Sequence, residues 1–291
     1  MLSPRIDEQE KAAGIATAAG FVQIDNVDLC YGENNAAPAV AGLQMTVGKG
    51  EFAAVVGPSG CGKSSLMKLV NGLLPPTSGA IVVAGRRVQG PLKIVGMAFQ
   101  NSTLLPWRDI LGNIMLPLEI VQPHRSQLQR KRKEYEALAR DLLQTVGLGG
   151  LEKSHPWMLS GGMQQRANLC RSLIHAPELL MLDEPFGALD AFTREELWGV
   201  LQELWMQRRF TCILVTHDLR EAVYLADVVH VMSARPGRVI ATHRVDLPRP
   251  RTIESTFNSD FIDIVHAIRG EIAHTRNEDK IALAKKEGAI R

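Results

Sequence analysis

The stretch Gly57-Pro58-Ser59-Gly60-Cys61-Gly62-Lys63-Ser64 can hold a chain of phosphates. Its glycines let the backbone curl until successive N–H groups face phosphate oxygens, and a following helix would add the positive end of its dipole. Lys63 is placed to reach the β- and γ-phosphates, Ser64 to ligate Mg²⁺, and Ser65 to complete the nucleotide contacts. A phosphate loop also needs a carboxylate for the metal. The run Leu179-Leu180-Met181-Leu182-Asp183-Glu184 supplies Asp183 for that role and Glu184 to orient or deprotonate an attacking water. A second anion-binding constellation lies at Leu159-Ser160-Gly161-Gly162-Met163-Gln164-Gln165, where a hydroxyl and bare amides would open a helix. One ATP does not readily need two such helix ends from one small domain. The pair therefore points to a site shared between two chains.

These residues need a scaffold, and the hydrophobic pattern predicts an α/β one. Phe52 to Val56 is a continuous apolar run ending in the glycine-rich turn, which suits a strand buried in a parallel sheet. A helix is predicted from Lys63, with Leu66, Leu69 and Val70 on one face, stopped by Asn71-Gly72 and Pro75-Pro76. Further buried strands are expected at Leu179 to Leu182 and Phe210 to Thr216. A β-leaning segment runs from Phe21 to Leu29. A terminal hairpin is expected from Val228 to Met232 and Arg238 to Thr242, across Arg235-Pro236-Gly237. Ser160 can cap one helix, Asp218 with Glu221 starts another, and Thr193 with Glu196 reads as a capping box before Leu197. Residues 101–160 read as a helical insertion, with Tyr135, Leu138, Leu142 and Val146 on one face of a helix closed by Gly147. The chain divides into a flexible lead over residues 1–20, an ATPase domain over 21–251, and a C-terminal helix with charged tail over 252–291. That helix is marked by Phe261, Ile264, Val265 and Ile268.

Bulk properties exclude several classes. The 291 residues are 45% apolar and 22% charged, a globular balance able to bury a large core. A net charge of +2 gives no concentrated basic face, so no nucleic-acid partner is expected. The basic run Arg130-Lys131-Arg132-Lys133 reads either as a solvated helix start or as a docking patch for phosphate or lipid headgroups. Four scattered cysteines form no CxxC pair, which fits a reducing compartment. No secretory signal is expected, because Asp7, Glu8, Glu10 and Lys11 interrupt the first twenty residues. No apolar run is long enough to span a bilayer.

In this order and spacing, the motifs resemble those of the ATP-binding cassette (ABC) ATPases over roughly Phe21 to Asp246. The likeness includes Gln100 after Gly96-Met97-Ala98-Phe99, the segment Gly187-Ala188-Leu189-Asp190, and His217 in Val215-Thr216-His217-Asp218. Tyr31 fits the family's adenine-stacking position; by itself it reads equally as a core or strand-end aromatic. The resemblance implies a phosphate-loop core with a parallel sheet, a small antiparallel β part and a helical insertion. It implies a head-to-tail dimer with two ATP molecules sandwiched between chains, each phosphate loop facing Ser160, Gly161 and Gly162 of the other copy. Gln100 would contact metal or attacking water, His217 the γ-phosphate, and Asp190 would communicate across the dimer. Two departures from the pattern are Met163, where many members carry Gln, and Cys170 in the following helix. Neither removes a catalytic group.

Within that family, Gln100-Asn101-Ser102-Thr103-Leu104-Leu105-Pro106-Trp107 with Asn113 and Pro117 is similar to bacterial importer subunits for nitrate, alkanesulfonates, taurine and related small compounds. So is the exit Leu247-Pro248-Arg249-Pro250-Arg251. Transmembrane permease subunits, and indirectly a solute-binding protein, are then the expected partners, with the chain peripheral on the cytoplasmic face of the inner membrane. Leu104, Leu105 and Trp107 are either a dock for the permease or the insertion's own core. The alternatives are an importer subunit for another solute class or a non-transport ABC ATPase. A chromosome-organising member would carry a long heptad insertion, a translation-type member two phosphate loops, and a small-molecule kinase would lack the Leu159–Gln165 stretch.

Overall fold

The computed structural model describes residues 20–32 and 38–288, with side chains through Thr275. The expected lead, apart from Gly20, and the last three residues of the expected tail lie outside the described residues. Two sheets share the fold. Strands β1 (Val22–Leu29), β2 (Val40–Val47), β4 (Ser78–Val83) and β5 (Arg86–Arg87) form an antiparallel sheet in the order β2-β1-β4-β5. The second sheet runs β10-β9-β3-β8-β7-β6, using β3 (Phe52–Val56), β6 (Val95–Ala98), β7 (Leu179–Asp183), β8 (Thr211–Val215), β9 (Val228–Met232) and β10 (Val239–Arg244). All its neighbours pair in parallel except β10, which closes one edge antiparallel to β9.

The parallel strands are apolar throughout because both faces are covered. Phe52, Ala54, Val56, Leu180, Leu182, Cys212, Leu214, Val229 and Val231 enter one buried cluster. Their alternating neighbours Ala53, Val55, Leu179, Met181, Ile213, Val215, Val228 and Met232 enter the other. On the second face lie α1 (Lys63–Val70) and the antiparallel sheet, through Leu66, Leu69, Val22, Leu43 and Ile81. On the first face lie α2 (Ile110–Ile120), the short α3 (His124–Gln127), α4 (Arg132–Thr145), α5 (Gly161–Leu173), α6 (Ala191–Arg208), α7 (Leu219–Leu225) and α8 (Ser259–Gly288). Residues 101–160 hold α2 to α4 and a 3₁₀ turn at Pro156–Met158, with no strand.

Several local expectations are corrected. Helix α6 is capped not by Thr193 but by Asp190, whose carboxylate accepts from Thr193 N at 3.1 Å. Aspartate is an effective N-cap, and its position three residues earlier makes Thr193 the capped donor instead of the cap. Strands β2, β4, β5 and β6 carry no strand expectation above. β2 is interrupted by Gly42, β5 is two residues long, and β6 is a four-residue run merging into the segment before Gln100.

Arg251 closes the sheet's far side. Its buried guanidinium donates to the carbonyls of Val223, Tyr224 and Ala226, at the C-terminal end of α7, and to those of Val245 and Leu247. A cation there answers both orphan carbonyls and the negative end of the helix dipole. Burial lowers its pKa to about 10, which leaves it charged near neutrality. Replacing Arg251 with Met leaves those acceptors without a partner and should cost more than about 3 kcal/mol. Urea denaturation reads the loss, and a change below about 1 kcal/mol would show that water replaces the side chain freely.

Candidate nucleotide-binding site

Four chemistry-bearing loops leave the same edge of the parallel sheet. Val55 pairs with Val215, and Val215 with Asp183, so β3, β8 and β7 end level. Ala98 pairs with Leu182, which brings the end of β6 one step below that level. Across that edge follow the phosphate loop after β3, His217 after β8, Asp183 and Glu184 at the end of β7, and Gln100 after β6. Ligands of open parallel sheets bind in the crevice outside these carboxyl ends.

Gly62 at φ +101° turns the phosphate loop into α1, and a side chain there would press on Val40 and the Ala39 carbonyl. No side chain caps α1 and no acidic residue stands in its first turn, which leaves its leading N–H groups for an anion. The Lys63 ammonium folds back to donate to Gly57 O and Pro58 O at 2.9 and 3.0 Å. Those weak acceptors can be exchanged for phosphate oxygens without moving the loop. Ser59, Gly60 and Ser64 are exposed, whereas Pro58, Cys61, Lys63 and Ser65 are buried. Tyr31, half exposed past the end of β1, places its hydroxyl 3.0 Å from Ser65 Oγ and so stands over the start of α1. It is not a core aromatic.

Asp183 and Glu184 crowd two negative charges at the end of β7. Burial first, and the Glu184 charge second, raise the Asp183 pKa, with Lys63 and Lys68 pulling it partly back. Such an under-compensated pair suits a divalent cation. No cluster of three His, Cys, Asp or Glu side chains occurs among the described residues. Asp183, Ser64 and Gln100 would hold a Mg²⁺ ion, with its other ligands drawn from water and phosphate. Glu184 sits at φ +45°, a sparsely populated region for this residue. It is held there by Glu184 N donating to Val215 O and Gly187 N donating to Glu184 O. Its Oε2 lies 3.1 Å from His217 Nδ1. The Gln100 amide lies against Gly187 in the loop after Glu184.

Ser160, Gly161 and Gly162 occupy a different place. Ser160 caps α5, its Oγ accepting from Met163 N at 3.3 Å, and its hydroxyl proton stays free to donate. Among the described residues no hydrogen bond joins this turn to the phosphate loop. Asp190 is exposed at the start of α6, its carboxyl held below the usual range by the bonds to Thr193.

The tertiary contacts add residues that motif reading passed over. Gln165 donates from one amide to Phe99 O and Pro185 O, at 3.1 and 2.6 Å, and so ties α5 to the loops of Gln100 and Glu184. Arg235, in the β9–β10 turn, donates to Gly60 O of the phosphate loop at 3.1 Å. Leu104 is buried in the core, while Trp107 is 72% exposed. Buried Asn113 fixes the intervening loop by accepting from Leu105 N and donating to Leu105 O, Arg108 O and Asp109 O. In the basic run, Arg130, Arg132 and Lys133 are exposed, and Arg132 pairs with Glu136 on its own helix.

Glu221, four residues after His217, is buried, and desolvation followed by the Asp218 charge raises its pKa to about 8 from 4.5. Below pH 4.5 the group is protonated in folded and unfolded chains alike. Between those values only the unfolded chain releases the proton, so this residue removes about 1.4 kcal/mol of stability per pH unit. Glu221→Gln should accordingly be more stable than the wild type at pH 8 and nearly equal to it at pH 4.5, as read by thermal melts across that range. A stability gain independent of pH would show that Glu221 is not held protonated.

Residues 40–187 match the ABC transporter family. The chain is 45% identical over 210 residues to the aliphatic sulfonates import ATP-binding protein SsuB of Bacillus licheniformis, covering 72% of this chain and 78% of the relative. It is 42% identical over 210 residues to the taurine import ATP-binding protein TauB of Escherichia coli, covering 72% and 80%. An ATP-binding cassette solved as a dimer in a post-hydrolysis state, bound to ADP and Pi, superposes with a TM-score of 0.64 at 26% identity. It is covered completely and spans 78% of this chain. With the matched family running through the phosphate loop to Gly187, and relatives of this identity over most of both chains, the protein belongs to the ABC transporter family.

Proposed function

We propose that this chain is the ATP-hydrolysing subunit of an importer for small organic sulfonates such as alkanesulfonates or taurine, or for a related small anion such as nitrate. The observation that supports the ATPase reading is the carboxyl edge, where the loops bearing Lys63, Asp183, Glu184, His217 and Gln100 leave neighbouring strands. The solute class is supported by relatives named for aliphatic sulfonate and taurine import.

In this reading Lys63 and the leading amides of α1 bind the β- and γ-phosphates, and Tyr31 stacks on adenine. Ser64, Asp183 and Gln100 would hold Mg²⁺, which would supply positive charge against the phosphates. Glu184 accepts the proton of the attacking water, and His217 orients Glu184 while reaching the γ-phosphate. Ser160, Gly161 and Gly162 serve the ATP held by a second copy, an arrangement favoured by the lack of any hydrogen bond, among the described residues, to this chain's own loop and by the dimeric neighbour. Asp190 communicates across that dimer. No described helix is long and apolar enough to cross a membrane. Separate permease subunits would hold the chain at the cytoplasmic face of the inner membrane, with a solute-binding protein delivering the cargo. Trp107, displayed on the loop that Asn113 fixes beside Gln100, belongs to the permease dock.

Lys63→Ala should abolish turnover while the fold persists, and near-wild-type ATPase activity in that variant would sink the nucleotide reading. Glu184→Gln should still bind ATP while hydrolysis falls about 10²–10⁴-fold. With ATP and Mg²⁺ it should run as a dimer on size exclusion, and adding Ser160→Arg should return it to monomer. A Glu184→Gln chain that binds ATP yet stays monomeric, even with the permease, refutes the shared site. Trp107→Ala, at an exposed position, should weaken permease association with little change in melting temperature; intact association would move the dock elsewhere.

A further inference from the structure

The first turn of α6 touches both the Ser160 turn and the His217 loop through adjacent residues. Thr193 lies against Gly162: a Cβ on that glycine would come within 2.4 Å of the Thr193 methyl. The threonine therefore rests on the bare backbone of the α5 N-terminus. Arg194, the next residue, donates from one guanidinium nitrogen to Leu189 O at 3.0 Å and from the other to Asp218 Oδ2 at 3.1 Å. Leu189 adjoins Asp190, and Asp218 adjoins His217. The other oxygen of Asp218 is already committed, accepting from Arg220 N and Glu221 N at the start of α7.

This link differs from the surface ion pairs nearby. Its side chains are about three-quarters buried, with exposures of 27% and 24%. Arg220 with Glu195, the other ion pair between the two helices, spans 3.5 Å with Arg220 44% exposed, and is worth little to positioning. The planar fork of Arg194 sets two loops at a fixed separation, which a lysine ammonium cannot do with both partners. Buried Glu221 stands behind Asp218, and burial with the Asp218 charge favours its neutral form, so it does not compete for the guanidinium.

We propose that Arg194 is a positioning residue that couples the two nucleotide sites of the dimer. It ties the loop behind His217 to the α6 turn that packs on the Ser160 helix. A shift of His217 and Glu184 at one ATP is thereby carried, within the same chain, to the turn that serves the other ATP. The inference rests on the roles proposed above for His217 and Ser160.

The test is steady-state ATPase activity and ATP binding of the full chain carrying Arg194→Gln, Arg194→Lys, Asp218→Asn, and Arg194→Gln with Asp218→Asn. Asp218→Asn keeps the oxygen that caps α7 and removes the charge that faces Arg194. Arg194→Gln should lower kcat by about tenfold or more while the Kd for ATP stays within about twofold, because the phosphate loop is untouched. Asp218→Asn should lower kcat similarly, and the double variant should fall no further than the larger single effect, the mark of one shared interaction. Arg194→Lys should recover part of the loss. Turnover of Arg194→Gln within about twofold of wild type overturns the proposal. So does a double variant whose losses multiply, or a loss of ATP binding in step with kcat, which would mark a structural role. A wild-type chain without ATPase activity, or an active Lys63→Ala chain, would instead overturn the nucleotide reading on which this inference depends.

Discussion

Backbone hydrogen bonding between β3, β8, β7 and β6 sets where every reactive side chain can be, because a parallel ladder fixes not only neighbours but heights. Val55, Val215 and Asp183 share one level, and Ala98 lies one step below it. A slip of one residue in β7 would turn Asp183 to the opposite face and send Leu180 and Leu182 into the wrong core. The two buried clusters resist that slip, since alternate residues of each strand are committed to opposite faces. Hydrophobic burial thus acts on the chemistry at one remove, by fixing register.

Loops leaving that edge would wander without further ties, and the ties are mostly side chains bonded to backbone. Gln165 holds the segments of Gln100 and Glu184 together, Arg235 braces Gly60, and Asn113 shapes the loop that presents Trp107. Such bonds suit loops because carbonyls without a sheet or helix partner must find a donor when they are buried. They also leave the side chains proposed for catalysis free. Lys63, His217 and Ser160 touch only weak or exchangeable partners.

The electrostatic preparation follows the same division. Uncapped amides of α1 and the Lys63 ammonium await negative charge, while Asp183 and Glu184, at the end of β7, await positive charge. Lys63 and Lys68 compensate Asp183 only in part. In the proposed function, ATP with Mg²⁺ would satisfy both together.

The linear order of residues was enough to identify the phosphate loop, the acidic end of β7 and the Ser160 turn, because each is a local constellation whose chemistry depends on neighbours in sequence. Continuous apolar runs likewise announced β3, β7 and β8, and the apolar face of α4 announced itself by spacing. The short and interrupted strands β2, β4, β5 and β6 stayed hidden, since their stability comes from partners and not from their own pattern. The start of α6 was misplaced because two capping residues stood three apart and only the folded backbone chose between them. Tertiary structure alone separated Leu104 from Trp107, core from surface, since burial depends on what packs above a residue. It alone revealed Gln165, Arg194 and Arg235 as ties, because a long polar side chain reaches partners as far as 175 positions away that no local pattern specifies.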